Sequence, residues 1–466
     1  MQTSKKTAIW WIRRDLRLFD NTALSLATQQ ADIVIPLYIL DDQLLAHAAP
    51  KRHLFLFDAL RNLSSDLQRI GSKLVIRQGN PVSELKTFFD ETQTDVIIAE
   101  KDTSPYATTR DNAASALMPI LFTQGSSVHP PEVVHKNDGT PYTVFTPFSR
   151  AWKALPRPGK PVPAPNTLQT PTNLNSLPLP ETEVLQPFPA SESAAQERLS
   201  EFLADTIFSY KNQRNNMNLN GTSRLSPYLR LGLLSARQTV FSVLELIETC
   251  EQEGFKEVDS LTTWLNELIW REFYIHILHH YPYVLKHAFR ESLRDIRWRN
   301  SPSEFEAWKK GLTGYPVVDA AMRQLEQTGW MHNRARMITA SFLTKDLLIN
   351  WQEGEAWFMQ MLVDGDPASN NGGWQWSAGT GTDAAPYFRI FNPVLQGKKF
   401  DPAGDYVRTW VPELSDVPNS FIHSPWEMPT DLQSRLGINI GKQYPAPIVD
   451  HTLARERTLE AYKHSH

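Results

Sequence analysis

The chain is organised around WMHNRARM at residues 330–337, which is followed by an apolar run to Trp351, by DGD at 364–366 and by NNGGWQW at 370–376. Few soluble proteins place polar amides, two arginines and several tryptophans so close together. The stretch shows no nucleophile–base triad of the kind that acyl-transfer enzymes use. Its residue types suit the binding of a flat aromatic cofactor and the passage of electrons to it.

The same residues also allow purely structural interpretations, in which they bind no ligand. His332 lies in an apolar context, where a buried core histidine is more common than a metal ligand, and no second histidine or cysteine stands near it at ligand spacing. We therefore reject a zinc site. Asp364-Gly365-Asp366 could form a metal loop or a turn. With Gly372 and Gly373 nearby, we favour a backbone shaped to approach a ligand closely.

Composition indicates a globular protein of two or more domains, with 466 residues, 41% hydrophobic and 21% charged. The net charge is −4, so contact with nucleic acid would need a local basic surface. Cys250 is the one cysteine, which excludes an internal disulfide and a thiolate-held iron–sulfur cluster. We see no signal peptide and no apolar run of membrane-spanning length, and we expect a soluble cytoplasmic protein.

Over the first 130 residues, short β-branched runs alternate with helical patterns, which predicts an α/β fold with a parallel sheet. The predicted strands are Ala8–Ile12, Ile33–Leu40, Lys73–Gln78 and Asp95–Ala99, and the predicted helices are Thr22–Gln29, His53–Ile70, Pro81–Thr92 and Thr108–Phe122. The first βα turn, RRDLRLFDN at 13–21, has no Gly-x-Gly-x-x-Gly, so nicotinamide binding in the usual manner is not expected. Its arginines either pair with nearby acids and brace the turn or bind a ligand.

Residues 131–205 are rich in proline, serine and threonine, lack apolar periodicity, and are predicted to form a long connection. One aromatic island, YTVFTPF at 142–148, is expected to dock on a domain. Helical periodicity dominates from residue 206 onward. The clearest predicted helices there are Ser260–His280, Pro316–Gln327 and Thr339–Asn350.

Tryptophans concentrate in the helical half, because only Trp10, Trp11 and Trp152 of the 14 precede residue 206. Most tryptophans are packing residues. So many in one helical domain still favours stacking or electron transfer as an additional role.

Two further pieces of the helical half can carry chemistry. YKNQR at 210–214 and GTSRLS at 221–226 bring small hydroxyls and backbone amides beside an arginine, which suits a phosphate cradle. The alternative is a helix start capped by Thr222 or Ser223.

The second piece places Glu267, Trp270 and Arg271 on one face of a predicted helix. An acid beside an exposed indole could hydrogen-bond a base while the ring stacks on it. The alternative is a Glu267–Arg271 ion pair next to a core tryptophan.

Taken together, these motifs resemble the photolyase/cryptochrome family, and most closely its class I cyclobutane pyrimidine dimer photolyases. The resemblance covers nearly the whole chain, opens with residues 13–21, and is strongest from Trp264 to Phe400. It includes TGYPVVDAAMR at 313–323 and WQW at 374–376.

The resemblance implies that the chain is divided into three parts. Residues 1–130 would form an α/β antenna-chromophore-binding domain with a parallel, five-stranded, Rossmann-like sheet. Residues 131–205 would be a proline-rich interdomain linker. Residues 206–466 would form an all-α domain that binds FAD and the DNA lesion.

The resemblance also implies that FAD is bound in a folded, U-shaped form and is active as the reduced anion. The residues that match its phosphate side are Tyr210, Thr222, Ser223, Arg224, Leu225 and Ser226. Those that match the surroundings of its isoalloxazine and ribose are Asn333, Arg336, Asp364 and Asp366. Asn370 matches the position facing flavin N5, where an amide tolerates the fully reduced ring.

A pocket for the lesion is implied in the same way, so the expected partner is UV-damaged DNA containing pyrimidine dimers, bound by a monomer. The matching residues are Arg214, Glu267, Trp270, Asn333, Arg334, Met337 and Trp376. Glu267 would hydrogen-bond the dimer and stabilise its radical anion, and Trp270 and Trp376 would form apolar walls. Photolyases are known base-flipping enzymes, and a poorly stacked, damaged pair is easier to extrude than an intact one.

The implied reaction explains the missing acid–base machinery. Blue light excites reduced FAD, which donates one electron to the dimer; the cyclobutane bonds break and the electron returns. Trp298, Trp351 and Trp374 match the family's relay that refills oxidised flavin from the surface. The residue pattern by itself does not order these three tryptophans.

Related activities differ at particular positions. Photolyases that act on (6-4) photoproducts carry two histidines one helical turn apart, where this chain has Asn333 and Met337. DASH-type cryptochromes usually lack a methionine at the position of Met337. A blue-light receptor that signals through a partner is the alternative function, and a flavoenzyme acting in the dark is a weaker one.

The antenna chromophore is implied less directly. Members that bind methenyltetrahydrofolate have an Asn-Glu pair where this chain has Tyr106-Ala107. KDTSPY at 101–106 is more similar to members that bind 8-hydroxydeazaflavin or a second flavin such as FMN. An empty antenna site is the other alternative.

Overall fold

The computed structural model describes residues 5–47, 49–181 and 187–463. Its chain divides into two units. The first contains the described residues up to Lys211 together with Ser223–Pro282, and the second contains Asn212–Thr222 together with the described residues from Tyr283 onward. The predicted boundaries at 130 and 205 remain predictions.

Five parallel strands form a sheet in the order β3-β2-β1-β4-β5, which confirms the predicted fold class. The strands are β1 Thr7–Ile12, β2 Ile33–Asp41, β3 Val75–Gly79, β4 Val96–Glu100 and β5 Ile120–Thr123. In the register, Ala8 lies opposite Val34 of β2 and Val96 of β4. Strand order reverses beside β1, and in such sheets ligands bind at the carboxyl edge next to this reversal.

Helices cover this sheet and continue along the first unit. They are α1 Thr22–Gln30, α2 Asp42–Leu45, α3 Pro50–Arg69, α4 Pro81–Thr92, α5 Pro105–Ser115, α6 Phe145–Ala154, α7 Glu192–Glu201, α8 Ile207–Gln213 (whose last two residues belong to the second unit), α9 Ser226–Leu231, α10 Ala236–Glu253 and α11 Val258–His280. A π-helical turn at Phe202–Thr206 joins α7 to α8. The predictions for α1, α3, α4 and α11 are confirmed to within three residues at each end.

The second unit is helical, as expected. Its α-helices are α12 Pro302–Lys309, α13 Pro316–Thr328, α14 Asn333–Ser341, α15 Trp351–Met361, α16 Pro367–Ala378, α17 Pro393–Phe400, α18 Asp405–Trp410, α19 Thr430–Arg435 and α20 His451–Lys463. None of the helices in the described part of the chain has the length and hydropathy needed to span a bilayer.

Two predicted helices were partly wrong. The pattern over Thr108–Phe122 is helical only to Ser115, because Pro119 cannot continue a helix and Ile120 pairs with Ile97 at the edge of the sheet. The pattern over Thr339–Asn350 passes into a π-helical turn at Phe342–Asp346 and ends there. Leu348 then adopts a positive φ of 53°, which an α-helix cannot contain.

The proline-rich segment is bonded through its backbone to the sheet of the first unit. The amide of Val34 donates to the carbonyl of Gln169 at 3.0 Å, and the amide of Leu177 donates to the carbonyl of Ile76 at 2.9 Å. The aromatic island docks as predicted, because α6 begins at Phe145 and packs against α11.

Candidate functional site

Two of the predicted cofactor residues of the second unit, Arg336 and Asp364, form an ion pair. The guanidinium of Arg336 donates to Asp364 Oδ2 at 2.8 Å and to the carbonyl of Met331 at 2.9 Å. Asp364 is buried, and its other oxygen, Oδ1, has no hydrogen-bond partner among the described residues. A buried carboxylate oxygen without a donor is costly, so this geometry fits a ligand that donates a hydrogen bond at that point.

The side chain of Asn370 is oriented by a backbone carbonyl of α15. Its amide nitrogen donates to the backbone carbonyl of Glu355 at 3.0 Å, while Asn371 donates to the Glu355 carboxylate at 3.0 Å. Burial raises the pKa of Glu355 to about 7, against the opposing effect of the Asn371 hydrogen bond. Because the amide nitrogen of Asn370 is engaged by a carbonyl, its oxygen is the end that can accept a hydrogen bond from a ligand.

Asp366 serves as the N-cap of α16, and its Oδ1 accepts from the amides of Ala368 and Ser369, both at 3.1 Å. The turn interpretation of residues 364–366 therefore has direct structural support. Over the described ranges, no group of three or more histidine, cysteine, aspartate or glutamate side chains is arranged to bind a metal.

The start of α14 agrees with the structural interpretation of its histidine. His332 is buried and caps the helix, with Nδ1 accepting from the amide of Arg334 at 3.1 Å. Asn333 is exposed, and its amide lies 3.9 Å from the Met337 sulfur, so the two side chains share one helix face. Arg334 donates to Asn215 Oδ1 at 2.6 Å and lies 4.3 Å above the ring of Phe400.

The predicted phosphate-side residues do not form a capped helix start. The N-cap of α9 is Leu225, and within the described chain no side-chain hydrogen bond caps this helix. The capping alternative for Thr222 and Ser223 is therefore wrong. Arg224 has a positive φ of 50°, and a non-glycine residue in this conformation often marks a functional turn. Tyr210 is buried one turn before the end of α8.

On α11, Glu267 and Trp270 are both partly exposed. Arg271 donates to Glu272 at 3.2 Å and to the carbonyl of Ser126 at 2.9 Å, which gives it partners other than Glu267. The indole of Trp270 is stacked on the ring of Phe145, with centroids 3.7 Å apart and an angle of 3°.

The three relay candidates share one apolar cluster in the second unit. Trp351 and Trp374 are buried in it, and Trp298 packs against it while half-buried. Trp308, which the sequence analysis did not select, is also buried there, with its ring centroid 6.1 Å from that of Trp374. Of the three candidates, Trp298 has the most exposed side chain.

Comparison with known proteins identifies the family. The model described as DNA photolyase matches residues 8–166, and the FAD binding domain of DNA photolyase matches residues 264–464. The deoxyribodipyrimidine photo-lyase of Escherichia coli is 41% identical over 98% of each chain. The chain belongs to the photolyase/cryptochrome family.

Solved structures of this family have the same fold. A bacterial class III photolyase from Agrobacterium tumefaciens superposes with a TM-score of 0.91 at 36% identity, covering 100% of this chain and 98% of that one. A Synechocystis cryptochrome superposes with a TM-score of 0.89 at 30% identity, covering 99% of this chain and all of that one. Because these relatives belong to different subgroups, the class I assignment remains a prediction.

In this photolyase-family protein, the arginines of the first βα turn are paired with acids, as one of the two interpretations predicted. Arg13 bonds Asp111 at 2.8 Å, and Arg17 bonds Glu100 at 2.6 Å. Tyr106, in the predicted antenna segment, donates its hydroxyl to Asp41. These contacts fix the carboxyl edge of the sheet without identifying a chromophore.

Sequence reasoning missed two residues that shape the candidate site. Glu355 carried no signal, since a glutamate on an amphipathic helix is usually solvated. Phe145 carried a weak signal, because it belongs to the aromatic island that was expected to dock. Its partner on α11 could be found only from the fold.

Proposed function

We propose that this protein repairs cyclobutane pyrimidine dimers in DNA, using blue light and reduced FAD. The observation that carries the proposal is its full-length similarity to deoxyribodipyrimidine photo-lyases, at 41% identity to the E. coli enzyme. The alternative, a blue-light receptor that signals through a partner, is supported by its likeness to the Synechocystis cryptochrome.

We propose that the residues predicted for FAD bind it. The unpartnered Asp364 oxygen and the oriented Asn370 amide support this, because both can accept hydrogen bonds from a flavin. Arg336 holds the Asp364 carboxylate in place through their 2.8 Å contact. When bound and reduced, FAD supplies the light-driven electron that splits the dimer. The chain's own residues bind and orient the flavin and exclude water from it.

The set proposed for FAD keeps the predicted membership. It consists of Tyr210, Thr222, Ser223, Arg224, Leu225, Ser226, Asn333, Arg336, Asp364, Asp366 and Asn370.

We propose that the dimer is bound by Arg214, Glu267, Trp270, Asn333, Arg334, Met337 and Trp376. Partial exposure of Glu267, Trp270 and Trp376 supports their availability to a flipped base. A carboxyl accepts hydrogen bonds from a pyrimidine or, when protonated, donates one, and an indole gives a stacking surface. The Asn215 contact orients the guanidinium of Arg334, which suits a rim residue that binds phosphate.

We propose that Trp298, Trp351 and Trp374 pass electrons to oxidised flavin, and that an antenna chromophore, where present, is 8-hydroxydeazaflavin or FMN. The shared apolar cluster and the half-buried position of Trp298 support the relay. For the antenna, residues 101–106 follow β4 directly at the carboxyl edge beside β1, which is where ligands of such sheets bind.

The test illuminates reduced holoprotein with blue light in the presence of dimer-containing DNA. We expect dimers to disappear under light and to persist in the dark. Dimers that persist under light although the DNA is bound would favour the receptor. Substrate turnover in the dark would overturn both.

A further inference from the structure

The aromatic island of residues 142–148 packs its rings against the helix that carries Trp270. Phe148 is buried, with its ring centroid 5.2 Å from Phe273 and 5.0 Å from His276. Phe145 lies one turn earlier on the same face of α6. The two phenyl rings therefore occupy neighbouring places along α11, but only Phe145 stacks on Trp270.

The Phe145–Trp270 contact is close and parallel. The ring centroids are 3.7 Å apart, and the planes differ by 3°. Phe273 meets both rings edge-on, at 5.9 Å from Phe145 and 5.6 Å from Trp270. Tyr274 is a third aromatic neighbour, with its ring centroid 5.6 Å from that of Trp270 and tilted by 35°. An indole held by three aromatic neighbours has little freedom to rotate.

This arrangement determines how a base can reach Trp270. The phenyl ring covers one face of the indole, so a base that stacks on Trp270 must use the opposite face. A stacking surface binds better when it is already in place, since less freedom is lost on binding. Phe145 would hold the indole in its binding orientation before DNA binds.

We propose that Phe145 is a positioning residue that holds the indole of Trp270 ready to stack on the flipped dimer. The proposal rests on the lesion-binding role proposed for Trp270. Phe145 acts through Trp270, so its effect should be confined to damaged DNA and should need the indole.

The test compares the dissociation constants of reduced holoprotein for dimer-containing and undamaged DNA. Phe145→Leu should weaken binding of damaged DNA about 2- to 10-fold, the usual worth of an aromatic pair, and leave undamaged DNA and the flavin spectrum unchanged. Phe145→Tyr keeps the ring and should restore discrimination. Phe148→Met is the matched control on the same helix, and discrimination should survive it even where its melting temperature falls.

A double-mutant cycle separates positioning from general stability. In a Trp270→Ala background, Phe145→Leu should add nothing to the loss of discrimination, because no indole remains to be held. An effect that adds in full, or equal losses from Phe145→Leu and Phe148→Met, would overturn the positioning role alone. If Trp270→Ala leaves discrimination intact, the proposed lesion role of Trp270 fails, and this inference fails with it.

Discussion

Replacing Gly354 with alanine should disturb Trp374, one of the two buried tryptophans of the proposed relay. A Cβ atom on Gly354 would lie 2.1 Å from Cη2 and 2.5 Å from Cζ3 of Trp374, and 2.6 Å from a methyl carbon of Leu343. The indole is also backed by Phe358, with ring centroids 4.9 Å apart. The ring therefore has rigid neighbours on more than one side, and α15 or Trp374 must shift to admit a methyl group.

The expected magnitude combines two opposing effects. Overpacking a well-packed core costs about 1–3 kcal/mol, whereas alanine in place of glycine inside a helix stabilises by about 1 kcal/mol. Gly373→Ala is the matched control, because among the described residues nothing lies within 4 Å of its added Cβ. Gly354→Ala should thus unfold more easily than Gly373→Ala, by about 1–3 kcal/mol.

Urea unfolding of the flavin-free variants measures this difference, provided that the slopes agree. Light-driven flavin reduction should also fall in Gly354→Ala holoprotein, since the ring of Trp374 is displaced. Equal stability of the two variants would refute the reasoning, because it would show that Trp374 has room to move. A destabilised variant with normal photoreduction would separate the packing of Trp374 from its proposed role in the relay.

Three further predictions address the flavin site and the relay. Gly373→Ala should weaken FAD binding about 5- to 100-fold by equilibrium titration, because we expect from the sequence that the backbone at this glycine approaches the ligand closely; unchanged affinity would contradict this. Burial raises the pKa of Glu355 to about 7 in the folded protein, above its ordinary value of 4.5. The folded state therefore becomes less stable, relative to the unfolded state, as the pH rises between these two values. In urea unfolding, the free energy of unfolding of the unsubstituted protein should fall between about pH 4.5 and pH 7.5 by about 1–3 kcal/mol more than that of Glu355→Gln. An equal fall in both proteins would contradict this. Trp351→Phe should block light-driven flavin reduction but spare repair by chemically reduced enzyme, whereas Trp308→Phe should leave both intact; the reverse pattern would move the relay to Trp308.

The fold could be predicted wherever local pattern and tertiary environment agree. β1 is apolar on both faces because helices cover both sides of a parallel sheet, and its sequence shows this directly. β5 was missed because the apolar spacing that begins near Thr108 continues to Phe122, and Pro119 was the one local sign that the helix ends before it. Only the edge of β4 gives Ile120 its strand pairing, and pairing partners are not visible in a local pattern.

The residues of the candidate site were selected one by one only through family resemblance, and their roles are proposals. Spacing placed Asn333 and Met337 on one helix face, which the structure confirms. Spacing could not show that Asn370 is oriented by the backbone of Glu355, because a backbone carbonyl leaves no trace in the residue types. It also could not show that Phe145 meets Trp270, since that contact joins two helices far apart in the chain.

A hydrophobic core already provides the conditions that favour electron transfer along a series of tryptophans. Electron transfer between two rings is faster when the distance between them is fixed and when the surrounding polar groups move little. Close packing provides both conditions. Trp374 is fixed by Gly354 and Phe358, so the same contacts that stabilise the fold would also set its distance to a flavin. Trp308 is packed as tightly, so burial alone does not distinguish it from the tryptophans of the proposed relay. What distinguishes the proposed route is its half-buried end at Trp298, where an oxidised indole can be reduced from solvent while the inner two remain dry.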